Sequence, residues 1–116
     1  MKDIKHLGVP NICFSLTDAN DEREELFTKQ RIERGFDDSE TWSLDGTFSE
    51  FMLPRLERYR EITKGMFIER DDFNQKIDEL IESLKIHVES NGYISEREKI
   101  MNGLKHFPEI FLGLWW

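Results

Sequence analysis

Between residues 70 and 90, large apolar side chains recur at spacings of three and four: Phe73, Ile77, Leu80, Ile81, Leu84 and Val88. That period puts all six on one side of a helix, whereas a strand would scatter them over two faces. A helix of about twenty residues, closed by the turn signal Asn91-Gly92, is therefore the element that the rest of the chain must cover.

The flanking segments repeat the helical period with punctuation at their ends. Residues 19–34 predict a first helix: Asp18 or Asn20 can cap it, acids crowd its first turns, and Lys29, Arg31 and Arg34 sit near its end, an order that complements the helix dipole. Gly35 is a natural stop. Leu26, Phe27 and Ile32 form only a thin apolar face, so this helix is expected at the periphery. Asp37 and Glu40 have the spacing of a capping box, predicting a helical turn over 38–43. Asp45 then reads as the N-cap of a helix over 46–63, with Phe48, Phe51, Met52, Leu56, Tyr59 and Ile62 on one face. Pro54 lies inside that helix and should kink it. Gly65 ends the pattern. Ser95 and Glu98 form a second capping box ahead of a last helix over 96–115, which carries a broad stripe of Ile100, Met101, Leu104, Phe107, Ile110, Phe111, Leu114 and Trp115 and should bend at Pro108. Residues 1–17, interrupted by Gly8 and Pro10, read as an irregular arm in which "NICFSL" could extend as a short strand.

The expected fold is all-α: three to four helices in one kinked bundle over residues 1–116, preceded by the arm. A chain of 116 residues fits one domain and can bury a core without disulfide or metal. The share of apolar residues, 38% against 34% charged, is too high for a disordered chain. The stripe on the last helix is wider than one neighbour requires, which suggests a second chain against residues 96–116 as a homo-oligomer. No stretch is long and apolar enough to span a membrane, and no leader pattern opens the sequence, so a cytoplasmic protein is expected.

Net charge is 16 − 24 = −8, which disfavours nucleic acid as a partner, since phosphate contact needs a basic surface. Cys13 is the lone cysteine and is expected as a small buried hydrophobe. His6, His87 and His106 lack metal-ligand spacing, and the pairs Asp71-Asp72 and Asp78-Glu79 read as solvated helix faces. Phosphate-binding loops and nucleophile elbows are absent from the sequence. No cofactor and no enzymatic activity are expected.

Arg55 draws the most interest. On a helical wheel it falls at the centre of an apolar face, beside Phe48, Phe51, Tyr59 and Ile62. A guanidinium there needs a partner. An internal bridge to Asp37, Asp38 or Asp45 would satisfy it, and so would a phosphate or carboxylate ligand held by its planar fork. Arg34 and Arg58 are candidates for the same patch, Trp42 for stacking on a base or capping the core, and Tyr59 for an aromatic wall. The candidate ligand-binding set is thus Arg34, Trp42, Arg55, Arg58 and Tyr59. "FLGLWW" places Trp115 and Trp116 where burial against the arm or a subunit contact would hold them.

Arg34-Gly35-Phe36, Trp42, Leu44-Asp45, Pro54-Arg55-Leu56 and the closing Leu114-Trp115 resemble the recurring text of a group of short proteins encoded by tailed bacteriophages. The resemblance covers about half of the chain, and carries no established activity. It implies expression inside an infected bacterium and an accessory protein that binds a host component without turning it over. Two readings follow from it: an anionic, nucleotide-like immune signal sequestered in an arginine–aromatic pocket (counter-defence), or a protein-interaction or structural module acting on a host or phage protein with no ligand pocket.

Overall fold

The computed structural model describes residues 3–64, 70–90 and 96–115. All regular structure among them is helical. Helix α1 spans Glu24–Arg34, α2 Leu44–Thr63, α3 Asp71–Ser90, α4 Arg97–Leu104 and α5, a single turn, Phe107–Ile110; short 3-10 turns occupy Ile4–Leu7, Asp38–Thr41 and Phe111–Gly113. The expected all-α class holds. Packing gathers into two compact units, Met1–Phe51 and Met52–Trp116, with α2 running through the boundary.

In the second unit α3 is the centre, as its periodicity demands. Ile77, Leu80 and Leu84 are fully buried with Leu56 of α2 and Ile110 of α5. Met52, Leu53, Tyr59, Phe73, Ile81, Leu104, Phe107 and Leu114 close around them. Helices α3 and α4 meet at a small-residue crossing. Ser83 is buried and its hydroxyl donates to the Lys99 carbonyl at 3.3 Å. Opposite lies buried Gly103: a Cβ there would sit 2.7 Å from the Glu79 carbonyl carbon, and closer still to its oxygen and to Ser83 Oγ. Only a glycine permits that approach.

The first unit is built differently. Phe27 is its one buried large hydrophobe among the described residues, and the rest of its interior is polar: Asp3, Thr17, Arg31, Asp37, Ser39, Glu40 and Ser49.

Several expectations change at the element ends. Helix α1 starts at Glu24, with neither Asp18 nor Asn20 as its cap. The Asp18 side chain instead accepts from Asn20 N–H and that of Asp21 from Arg23 N–H, both at 2.8 Å, and such consecutive Asx turns hold residues 18–23 out of the helix. Gly35 does end α1, in the left-handed region at φ 87°, its N–H donating to the Arg31 carbonyl. Helix α2 starts at Leu44, because Thr47 N–H already donates to the Ser43 carbonyl; Asp45 lies in the first turn rather than at the cap. Helix α2 continues through Pro54 to Thr63. The inward face of α2 is also turned from the expected one. Met52, Leu56 and Tyr59 of the expected face do pack in the core, but Ser49 is buried while Phe48 and Phe51 are exposed, a shift of less than one residue's turn about the helix. The apolar residues of this helix are spread over more than half of its circumference, so period alone does not fix which side is inside.

The expected helix over 96–115 is broken. Lys105 N–H donates to Met101 and His106 N–H to Gly103, after which α5 restarts with Pro108 in its first turn. Proline lacks the N–H that would continue α4 and is tolerated where a helix begins. The break resets the helical phase, so Ile100 and Ile110 are buried while Met101, Phe111 and Trp115 face solvent. "NICFSL" forms no strand. The Gly65, Asn91-Gly92 and Ser95 expectations, and Trp116, lie outside the described residues. No helix among them is long and apolar enough to cross a membrane.

Candidate functional site

The buried arginine of this chain is Arg31, on the face of α1 where Glu24, Phe27 and Thr28 also lie. It is 2% exposed. Its Nε and Nη2 donate to the two oxygens of Asp3 at 2.8 and 3.0 Å. Nη1 donates to Asp37 at 2.5 Å and to Ser15 Oγ at 3.3 Å, and the two N–H groups of Nη2 are shared among Asp3, Glu24 at 2.5 Å and Thr28 Oγ1 at 3.0 Å. A planar fork with five N–H groups suits this convergence. The Asp3 bonds, opposed by burial and helped by Asp37 and Glu24, hold the guanidinium above its ordinary pKa. In return Arg31 holds Asp3 below the usual carboxylate range. Burial pushes Glu24 and Asp37 up, but hydrogen bonds from Thr17 and Arg31 to the first, and from Ser15, Ser39 and Arg31 to the second, outweigh it and leave both lowered.

The capping box extends this network to the arm. The Asp37 carboxylate caps Ser39 N–H, and Glu40 Oε2 accepts from Asp37 N–H at 2.7 Å. The other Glu40 oxygen takes Phe14 N–H at 2.8 Å, and Ser39 Oγ takes Leu16 N–H at 2.9 Å. Side chains of the turn thus do for alternate arm amides what a neighbouring strand would do. Lys5 Nζ donates to the Thr17 carbonyl and lies 3.6 Å from Glu24. Every buried side-chain nitrogen and oxygen among the described residues has a partner, so the charges of the cluster are answered from within it. It is a structural hub.

The five residues selected from the sequence divide between the units. In the first, Arg34 donates to Asp38 at 2.6 Å and to the Phe36 carbonyl at 3.0 Å, with its guanidinium 4.4 Å from the Phe36 ring centre. Trp42 meets Phe27 edge-on at 6.0 Å, and the Arg23 guanidinium lies 4.6 Å from the Trp42 ring. Arg23 is itself held by both oxygens of Asp21, whose carboxyl it lowers to about 2. Half of the Trp42 surface remains exposed, so it is neither core nor an open platform.

In the second unit Arg55 is exposed, contrary to its place on the apolar wheel, because burial on α2 is turned away from it. Asp37 and Asp38, two of its expected partners, are bridged to Arg31 and Arg34. Arg58 pairs with Glu61 at 2.9 Å. Tyr59 is half-buried, and its hydroxyl donates to the Trp115 carbonyl at 2.9 Å. Arg70 completes this anchor: Nη1 donates to the Gly113 carbonyl at 3.2 Å, and its guanidinium lies 3.6 Å from the Phe73 ring centre and 5.5 Å from that of Trp115. The segment Phe111–Trp115 is thereby fixed with Leu112 86% and Trp115 65% exposed.

Other chemistry is sparse. Burial pushes the Cys13 thiol up, which keeps it protonated and a poor nucleophile; it is half-buried rather than buried. Among the described residues no group of three or more His, Cys, Asp or Glu could hold a metal. A shallow groove of about 420 Å³ is lined by Asp3, His6, Leu7, Thr28 and Ile32, but its carboxylate is already committed to Arg31. Comparisons with protein-family models, curated proteins and solved structures found no match.

Proposed function

We propose that this chain is a protein-interaction module without catalytic activity. The phage-like sequence pattern supplies the setting: an accessory protein acting on a protein of the infected bacterium. The observation that carries this reading is the pair of anchored, outward-facing tryptophans. The Trp42 ring is held by Phe27 and Arg23, and Trp115 by Tyr59 at its main-chain carbonyl and by Arg70 at its ring, yet each keeps half or more of its surface in solvent. Rigid, exposed aromatics lose little entropy when a partner covers them and are enriched among residues that dominate binding energy. The nucleotide-sequestering alternative asks for guanidiniums that converge on one anion. Arg34 and Arg58 are instead engaged with Asp38 and Glu61, and the Tyr59 hydroxyl with main chain.

The test compares the purified protein with Trp42→Ala and Trp115→Ala in affinity capture from bacterial lysate, followed by calorimetry on the purified partner. Expected is saturable binding with a negative heat-capacity change, weakened by at least one variant while circular dichroism stays native. A rise in melting temperature with cyclic oligonucleotides or ADP-ribose derivatives, abolished by Arg55→Ala or Arg58→Ala in a folded protein, would overturn the reading in favour of ligand binding.

A further inference from the structure

Resting on that reading for the use of the Trp42 face, we infer that Arg31 is a latch: it closes the first unit as a separately opening element, and closing it assembles the Trp42 anchor. Three segments meet on this one guanidinium: the arm through Asp3 and Ser15, α1 through Glu24 and Thr28, and the capping turn through Asp37. The other ties between α1 and the turn, from Gln30 and Arg34 to Asp38, are exposed, where such pairs add little. Among the described residues no main-chain bond joins the arm to α1 or to the turn. The arm amides of Phe14 and Leu16 bond side chains instead.

Apolar packing does not stand in for the latch. Phe27 is the one large hydrophobe buried in this unit among the described residues, whereas Leu56, Ile77, Leu80, Leu84 and Ile110 close a core in the second. Regions with few buried apolar contacts open at lower free energy than such a core. Without the cation, Asp3, Glu24 and Asp37 would face one another in a buried interior, and their repulsion would drive the three segments apart. Trp42 would then lose its setting. Its ring is held by Phe27 of α1 and by Arg23 at the head of α1, while its main chain follows directly on the capping turn. The anchor thus spans two of the segments that Arg31 ties, so the Trp42 face is presented in the latched state. The Trp115 anchor, on Tyr59 and Arg70, shares none of these groups.

Native-state amide exchange on the full chain, read by NMR at increasing urea, tests the latch without any partner. Expected in the wild type is a sub-global opening: the amides of Phe14, Leu16, Phe27 and Gly35 exchange at least about tenfold faster than those of Leu80 and Leu84, and respond less steeply to urea. Arg31→Met should speed the first set about a hundredfold or more and the second by less than about threefold. Acrylamide quenching of Trp42, in a chain with Trp115 and Trp116 changed to Phe, should rise in the same variant. One opening free energy common to both sets in the wild type would refute the separate element, as would an equal loss in both sets or a wholly unfolded Arg31→Met. Unchanged Trp42 quenching beside fast-exchanging arm amides would refute the coupling of latch to anchor. A chain that captures no partner, yet shows the expected exchange and quenching, would sink the interaction reading and leave the latch in place.

Discussion

Replacing Gly103 by alanine puts two effects of opposite sign against each other. Inside a helix the substitution normally adds stability, up to about 1 kcal/mol, because glycine surrenders more backbone freedom on folding. At this crossing the new methyl would lie 2.7 Å from the Glu79 carbonyl carbon, where ordinary contact begins at 3.4 Å, with the Glu79 oxygen and Ser83 Oγ nearer still. Main chain cannot rotate aside as a side chain can, so α3 and α4 must part. Overpacking of this kind costs about 1–3 kcal/mol, and the upper end applies here. The expected net loss is about 2 kcal/mol, or a fall in melting temperature of about 8–16 °C for a unit of this size. Thermal and urea unfolding followed by circular dichroism measure it. Gly46→Ala is the internal control: its Cβ meets only Ser43 Cβ, at 3.9 Å, so the propensity gain should appear unopposed. Adding Ser83→Ala to Gly103→Ala should recover less than half of the loss, since the Glu79 carbonyl remains. If Gly103→Ala matched the wild type or exceeded it, or if Ser83→Ala restored it fully, the close crossing of α3 and α4 would be refuted.

Arg31→Met should cost about 3–5 kcal/mol, since it leaves Asp3, Glu24 and Asp37 packed together without their cation; chemical unfolding reads the loss, and a variant within 1 kcal/mol of wild type would deny Arg31 its role as hub. The three carboxylates titrate lower in the folded chain than in the unfolded one, so their contribution is complete above about pH 5 and disappears as pH falls through the folded values. Trp42 fluorescence, in a variant with Trp115 and Trp116 changed to Phe, should stay constant from pH 8 to 5 and change below about pH 4; a transition between pH 7 and 5 would contradict this. Tyr59→Phe should cost about 0.5–1.5 kcal/mol and speed amide exchange at Gly113–Trp115 while leaving α3 protected. Arg55→Ala, with the side chain exposed, should cost no more than about 1 kcal/mol, the range of a surface pair, whereas a buried bridge would make it collapse the fold.

The helices were legible wherever apolar period and local punctuation agreed. The α3 stripe, the Asp37/Glu40 box and Gly35 are short-range features, and each appears where its spacing places it. The identity of the buried arginine was not legible. A wheel ranks positions by the hydrophobicity of their neighbours, so it chose Arg55 among phenylalanines and passed over Arg31 among glutamate and threonine. What buries Arg31 is Asp3, 28 positions away, together with Asp37 beyond the helix stop. The usable sign was compositional: a helix with a thin apolar face, flanked by more acids than its capping needs. Trp42 and Tyr59 fell between the alternatives, one half exposed against a cation, the other spending its hydroxyl on distant main chain.

The Arg31 hub also sets an order of events during synthesis. Asp3 precedes Arg31 by 28 positions and Phe14 precedes Glu40 by 26. At about 5–20 residues per second, the arm waits about 1–6 s for the groups that will hold it. The capping turn needs only neighbours and closes as soon as it emerges, so the arm, although translated ahead of that turn, settles after it. Until then Ile4 and Phe14, half-buried in the folded chain, are open to whatever meets the nascent chain.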